Sequence, residues 1–92
     1  MEDKKEVFTI QIDREENGES ETIQAMLYCH NYYSFHEAVE AGKEAYDKYA
    51  AIEDAPIIVS ILGGEYELPN GDIYGEPQCI MTINCENRNK LN

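Results

Sequence analysis

Apolar and polar residues alternate near the start of the chain. Within residues 7–13, apolar and polar side chains take alternate positions from Phe8 onward. A period of two is typical of a strand with one buried face. Asn17 and Gly18 tolerate the positive φ of a tight turn, and alternation resumes over residues 22–28, so we expect a β-hairpin whose second strand pairs with the first. The apolar positions of the first strand are Phe8, Ile10 and Ile12.

The pattern then changes from a period of two to steps of three and four. Ser34 and Glu37 form a capping box, which predicts that a helix begins at about Phe35. One face of this helix is rich in Glu and Lys, as expected for a solvated surface, and Pro56 marks the end of the region. The apolar stripe predicted to pack on the sheet consists of Phe35, Ala38, Val39, Gly42, Ala45, Tyr46 and Tyr49.

A second hairpin is predicted after the helix. Residues 57–62 are almost continuously apolar, which indicates a strand in the middle of the sheet. Gly63 and Gly64 indicate a bulge or bend, and residues 69–72 give the strongest turn signal in the chain. We expect a break at residues 75–77 and a last strand over residues 78–84. The residues predicted to lie on one side of that strand are Cys79, Met81 and Ile83.

These elements predict an α+β fold, a two-layer β-β-α-β-β sandwich. One helix packs on one face of an antiparallel sheet of four to five strands. The length of 92 residues allows one domain, residues 1–92, with flexible termini at 1–5 and 86–92. The other sheet face is exposed or buried in a homodimer, and we expect Met26, Tyr28 and Thr82 to line it.

Charge excludes several classes of partner. The chain has 19 Asp and Glu against 7 Lys and Arg, a net charge of -12. Direct binding of nucleic acid is disfavoured because it depends on clustered cations, and anionic membrane surfaces are disfavoured for the same reason. A basic protein surface is the expected partner. No apolar run approaches the length of a membrane span and no signal peptide is recognisable, so the expected location is the cytoplasm.

A metal-binding or small-molecule-binding site is an alternative. Thiol and imidazole groups occur together at Cys29, His30 and His36. Adjacent strand residues point to opposite faces, however, and no further ligand has suitable spacing. The three cysteines lack the even framework of a secreted domain and are expected to be reduced. We therefore expect no catalytic residue, metal or cofactor, and the chain is interpreted as a protein without enzymatic activity.

Two turns concentrate the negative charge. Residues 13–21 contain five acids and one base, Arg14, and no Lys or Arg occurs between Tyr49 and Asn87. Tyrosines near the second turn are suited to an interface because a ring contributes area and its hydroxyl a hydrogen bond. The predicted partner-binding residues are Glu15, Glu16, Glu19, Glu21, Glu65, Tyr66, Glu67, Asp72 and Tyr74.

In size, acidity and α+β composition the chain resembles small phage-encoded inhibitors that mimic nucleic acid, such as anti-restriction and anti-CRISPR proteins. That resemblance implies an inhibitor that occupies the phosphate-binding groove of a nuclease or another nucleic-acid-binding protein, and it assigns no residue roles. Two alternatives stay open beside it. One is a small cytoplasmic or mobile-element interaction domain, monomeric or homodimeric, whose acidity serves solubility alone. The other is the metal-binding or small-molecule-binding domain.

Overall fold

The computed structural model describes residues 4–91, which form one helix packed against a four-stranded antiparallel sheet. This α+β arrangement confirms the predicted fold class. The elements are strand β1 (Lys5–Glu16), strand β2 (Glu19–Thr22), helix α1 (Phe35–Ile52), strand β3 (Ile57–Glu67), strand β4 (Ile73–Ile83) and a short 3-10 helix (Arg88–Lys90).

The turns of the two hairpins lie at opposite ends of the sheet. The order is β2-β1-β3-β4, so β3 lies between two neighbours as predicted. Lys5 is paired with Glu67 at one end of β1, and Arg14 is paired with Ile57 at the other. The β1–β2 turn and the β3–β4 turn therefore point away from each other along a molecule whose longest dimension is 48 Å.

Helix α1 begins where the sequence predicts and packs on the sheet through the middle of the predicted stripe, whereas Phe35 at its start is 43 % exposed. The Ser34 hydroxyl accepts a 3.0 Å hydrogen bond from the Glu37 N–H, which satisfies a donor that has no partner within the helix. The helix buries Ala38, Gly42 and Ala45 against the sheet. At Gly42 an added Cβ would lie 2.9 Å from Ile61 Cδ1, so the absent side chain permits the close approach of helix and sheet. The strand residues of the core are Phe8, Ile10, Ile12, Ile57, Val59, Ile61 and Ile83.

The prediction of a second strand over residues 22–28 was wrong. β2 ends at Thr22, and the N–H groups of Tyr28 and Cys29 both donate to the Ala25 carbonyl at 2.9 Å, which closes a tight turn. Ala25 and Tyr28 enter the core, whereas Met26 is 87 % exposed and Leu27 is 66 % exposed. Met26 and Tyr28 therefore do not line the second sheet face. Thr82 is paired with Ser60 on the face turned away from the helix, as expected.

The bulge predicted at Gly63-Gly64 is present, but the break predicted at residues 75–77 is not. The pairing register shifts between Gly63 and Glu65, and Gly64 and Gly75 have φ values of 95° and 108°. A Cβ at Gly64 would lie 2.7 Å from the Glu76 carbonyl oxygen. Two glycines facing each other thus let the backbones approach, and β4 runs on through Pro77 because an edge strand tolerates a missing N–H.

A second register shift changes one predicted face of β4. Met81 is paired with Ile61, but Cys79 is paired with Leu62. Neighbouring residues of β3 point to opposite faces of the sheet, and cross-strand partners share a face. Cys79 therefore does not share a face with Met81 and Ile83, contrary to the alternation expected from sequence.

The segment after β4 contacts the helix. Arg88 donates two hydrogen bonds to the Asp47 carboxylate, at 2.8 and 2.6 Å, and Lys43 Nζ donates to the Leu91 carbonyl at 3.0 Å. Leu91 also packs against the core. The predicted flexibility of residues 86–92 stays a prediction beside these contacts. Of the predicted flexible N-terminus, Lys5 begins β1, and residues 1–3 lie outside the described residues, as does residue 92.

Candidate functional site

Three carboxylates lie around one guanidinium at the β1–β2 hairpin. Arg14 Nη1 lies 3.0 Å from Glu16 Oε2 and 3.8 Å from Glu21 Oε2. Arg14 Nε lies 3.1 Å from Glu53 Oε1, although this N–H is not aligned for a hydrogen bond, so the contact is one of charge. We use the name acidic hairpin surface for Glu16, Glu19, Glu21 and Glu53.

The strand register leaves this surface with excess negative charge. Arg14 is paired with Glu21, but Glu16 is paired with Glu19, and like charges directly opposite each other destabilise a sheet. The turn that joins them uses Asn17 at φ 55° and Gly18 at φ 82°, as expected for this dipeptide. One guanidinium cannot neutralise four carboxylates, so the end of the hairpin presents a local negative field to solvent.

A depression of about 370 Å³ opens at the same place. Its polar walls belong to both strands and to the turn, so a side chain of a partner has room to enter between the carboxylates. The residues that line it are Arg14, Glu16, Asn17, Glu19, Ser20 and Glu21.

The structure divides the first predicted patch and adds a residue to it. Glu15 is paired with Ser20 and lies on the sheet face opposite to Glu16, so it does not belong to the acidic hairpin surface. Glu53 joins that surface from the end of the helix. No local sequence signal indicates this contact, since it depends on how the helix crosses the sheet.

The second predicted patch lies at the β3–β4 end and has a different composition. Tyr66 is paired with Tyr74, and their ring centroids are 5.8 Å apart with planes tilted by 32°. We call these two residues the tyrosine pair. Glu65 and Glu67 flank Tyr66 along β3, and because side chains alternate they point to the other face. Asp72 is held in the turn, where its N–H donates to Asn70 Oδ1 at 3.0 Å.

Cations from the N-terminal segment offset part of the charge at the β3–β4 end. Lys5 is the cross-strand partner of Glu67, and Lys4 Nζ lies 4.9 Å from the centroid of the Tyr66 ring. The Tyr33 hydroxyl donates to the Glu67 carboxylate, and this hydrogen bond raises the pKa of Tyr33 above its usual value. Lys5 and Arg14 are nine positions apart, so the two ends are separated by about 30 Å along the strand.

Acids on the helix are more nearly balanced. Glu40 Oε2 lies 2.5 Å from Lys43 Nζ, and the hydrogen bond from Lys43 lowers the pKa of Glu40. Arg88 pairs with Asp47, which raises the pKa of the guanidinium. Local pairing of this kind makes the helix a weaker source of negative field than the β1–β2 end.

The thiol and imidazole residues do not assemble into a cluster. Cys29, His30 and His36 are all exposed, and the His30 ring stacks against Tyr32 at a centroid distance of 4.2 Å. Within residues 4–91 no three His, Cys, Asp or Glu side chains are grouped so that they could hold a metal ion. The same part of the chain contains no helix with the length and apolar character required to cross a bilayer.

Comparisons with known proteins give no match. No family model matches the chain, and neither a curated protein nor a solved structure does so significantly.

Proposed function

We propose that this chain is a non-enzymatic acidic protein that binds a basic surface of a nucleic-acid-binding protein through its acidic hairpin surface. The observation that carries the proposal is the pairing of Glu16 with Glu19 beside a single base, Arg14. Opposed like charges cost stability, so this arrangement is better suited to recognition than to folding.

Carboxylates at a projecting turn can replace the phosphates of a nucleic acid. A groove lined with Lys and Arg binds phosphate largely through charge, and the same field attracts clustered Glu side chains. The inhibitor would then exclude nucleic acid by occupying that groove. The proposal places the protein in the cytoplasm, where exposed thiols such as that of Cys29 stay reduced.

The remaining predicted contact residues belong to other parts of the surface. Glu65, Glu67 and Asp72 lie near the β3–β4 turn, about 30 Å from the acidic hairpin surface. A partner that contacts both ends at once therefore needs a basic surface of that length. A partner that contacts the β1–β2 end alone does not need a basic surface of that length.

Capture with matched charge variants tests the proposal. The wild type, Glu16→Gln/Glu19→Gln/Glu21→Gln and Glu44→Gln/Glu76→Gln/Glu86→Gln are immobilised and exposed to a nuclease-treated cell lysate at 50 and 500 mM NaCl. The two variants lose the same charge, and the control positions are exposed and lie away from the β1–β2 turn. We expect wild type and control to retain a basic nucleic-acid-binding protein at low salt only, and the hairpin variant to lose it.

Displacement of DNA provides the second step. The captured protein is bound to a fluorescent DNA duplex and titrated with the same three proteins. We expect the wild type and the control to displace the duplex, and the hairpin variant to require at least about tenfold more protein. Equal retention by both variants, or binding that does not change with salt, would contradict the proposal and favour an acidity that serves solubility alone.

A further inference from the structure

The tyrosine pair already holds a cation. Lys4 Nζ lies 4.9 Å from the Tyr66 ring centroid, within the range of a cation–π interaction. Tyr74 beside it is 43 % exposed, and Tyr66 is partly exposed. The ring faces of this pair are therefore accessible from solvent, and at least one is chemically suited to a positively charged group.

The surroundings of the pair also favour positive charge. Glu6 is the cross-strand partner of Tyr66, so Glu6, Tyr66 and Tyr74 form one row across three strands. The hairpin that carries the two tyrosines has four acids and no base, and the nearby cations, Lys4 and Lys5, both come from the N-terminal segment. Lys5 lies over Tyr33, so among residues 4–91 Lys4 is the cation that contacts the tyrosine pair.

We propose that the tyrosine pair is a second contact site, which binds an arginine side chain of a basic protein partner, and that Lys4 is an internal occupant that the partner displaces. A planar guanidinium stacks on an aromatic ring and is more weakly hydrated than an ammonium group, so it can replace Lys4 there. This inference rests on the proposed function only in taking the partner to be basic. It concerns the opposite end of the sheet from the acidic hairpin surface.

A hexa-arginine peptide is a sufficient probe because the site recognises a side chain. Protein labelled with 13C at its tyrosines is titrated with the peptide at 50 mM NaCl, and the ring resonances are followed by NMR. We expect the resonances of Tyr66 and Tyr74 to shift on titration. The double variant Tyr66→Phe/Tyr74→Phe keeps the rings and should retain the affinity, followed through its amide resonances, whereas Tyr66→Leu/Tyr74→Leu should weaken binding at this end about two- to fivefold.

Two lysine variants test the internal occupant. Lys4→Ala frees the ring and should strengthen the binding of the peptide at the tyrosine pair about two- to fivefold. Lys90→Ala removes the same charge at another place and should change the affinity of the tyrosine pair for the peptide less. Equal effects of Lys4→Ala and Lys90→Ala would overturn the displacement of Lys4. This arm remains decisive even if the leucine variant does not fold.

The acidic hairpin surface supplies the arm that separates the two proposals. In Glu16→Gln/Glu19→Gln/Glu21→Gln we expect the shifts at Tyr66 and Tyr74 to persist. Peptide-induced shifts confined to the β1–β2 hairpin would overturn the tyrosine site and leave the proposed function standing. Shifts at the tyrosine pair together with unchanged capture by the hairpin variant would overturn the proposed function and leave the tyrosine site standing.

Discussion

The two hairpins carry similar numbers of acids but differ in what lies opposite each acid. In the β1–β2 hairpin Glu16 is paired with Glu19, and Arg14 is the base among four carboxylates. At the β3–β4 end Glu67 is instead paired with Lys5 and accepts a hydrogen bond from Tyr33. Strand register, rather than the number of acids, therefore decides where negative charge stays uncompensated.

The two hairpins also differ in what holds them together. β2 has four residues, all exposed, so it adds little to the buried core. The β3–β4 hairpin joins two strands of 11 residues each, and its bulge brings the backbone at Gly64 against that at Gly75. We expect the stability of the β3–β4 hairpin to depend on the close fit of its backbones, and the stability of the β1–β2 hairpin to depend mainly on charge.

Alanine substitution of the glycines should give the largest difference. In Gly75→Ala the new Cβ collides with the Gly64 carbonyl oxygen and φ is 108°, so we expect a loss of about 2–3 kcal/mol of unfolding free energy. In Gly18→Ala φ is 82° but no atom lies within 4 Å of the new Cβ, so we expect about 1 kcal/mol. Urea unfolding followed by circular dichroism measures both.

Gly71 is the control within the β3–β4 hairpin. Its φ is 93°, and no atom lies within 4 Å of a Cβ built there. Gly71→Ala should therefore resemble Gly18→Ala rather than Gly75→Ala. Losses of equal size at Gly71 and Gly75 would show that backbone strain alone, and not the contact between the strands, sets the cost.

Sequence patterns predicted the elements that depend on local or strongly periodic signals. The cap at Ser34, the turn at Asn17-Gly18 and the central apolar strand were all found. The strand predicted over residues 22–28 failed because the alternation ends at Ala25, where a turn exposes Leu27 and buries Tyr28 instead.

Long-range pairing could not be predicted from these patterns. The break expected at residues 75–77 was absent because Gly64, on another strand, accommodates Gly75. In the candidate site, the sequence located both acidic turns, but the separation of Glu15 from Glu16 and the arrival of Glu53 depend on sheet faces and on the path of the helix. Contacts of this kind are specified by tertiary packing, which leaves no local signal.

Removing the central base tests the dependence of the β1–β2 end on charge. Arg14→Met keeps much of the apolar stem but leaves the acidic hairpin surface without its cation, so we expect a loss of about 1–2 kcal/mol at low salt. Lys4→Met at the other end should cost less than about 0.5 kcal/mol because its contact is an exposed cation–π interaction.

Salt should separate these two variants further. At 500 mM NaCl screening weakens the repulsion among the acids, so the loss in Arg14→Met should shrink while that in Lys4→Met changes little. Thermal unfolding at 50 and 500 mM NaCl measures this. A loss in Arg14→Met that is independent of salt would mean that packing of the stem, and not charge, accounts for its effect.

Neutralising one acid at each end should produce small effects of opposite sign. Glu19→Gln removes the like charge opposite Glu16 and should raise the unfolding free energy by up to about 0.5 kcal/mol. Glu67→Gln removes a charge opposite Lys5 and should lower it slightly. Parallel urea titrations of the two variants with the wild type check the signs. The same sign at both ends would mean that total charge outweighs strand register.

The smallest effect we expect is a change in one titration at the β3–β4 end. The hydrogen bond to Glu67 raises the pKa of Tyr33 above 10.0, its ordinary value, so Glu67→Gln should bring that pKa back towards the ordinary value. A raised pKa in the folded state stabilises the protein below the pKa of the unfolded chain, and this contribution is lost as the pH rises through the folded value. The stability of the wild type should therefore fall more steeply than that of Glu67→Gln above about pH 10. Titration of the Tyr33 13Cζ resonance measures the pKa directly, with Glu65→Gln as the control. If both variants leave the Tyr33 pKa unchanged, the carboxylate of Glu67 does not accept the Tyr33 hydrogen bond, and Lys5 is the cation that stands opposite Glu67 at the β3–β4 end.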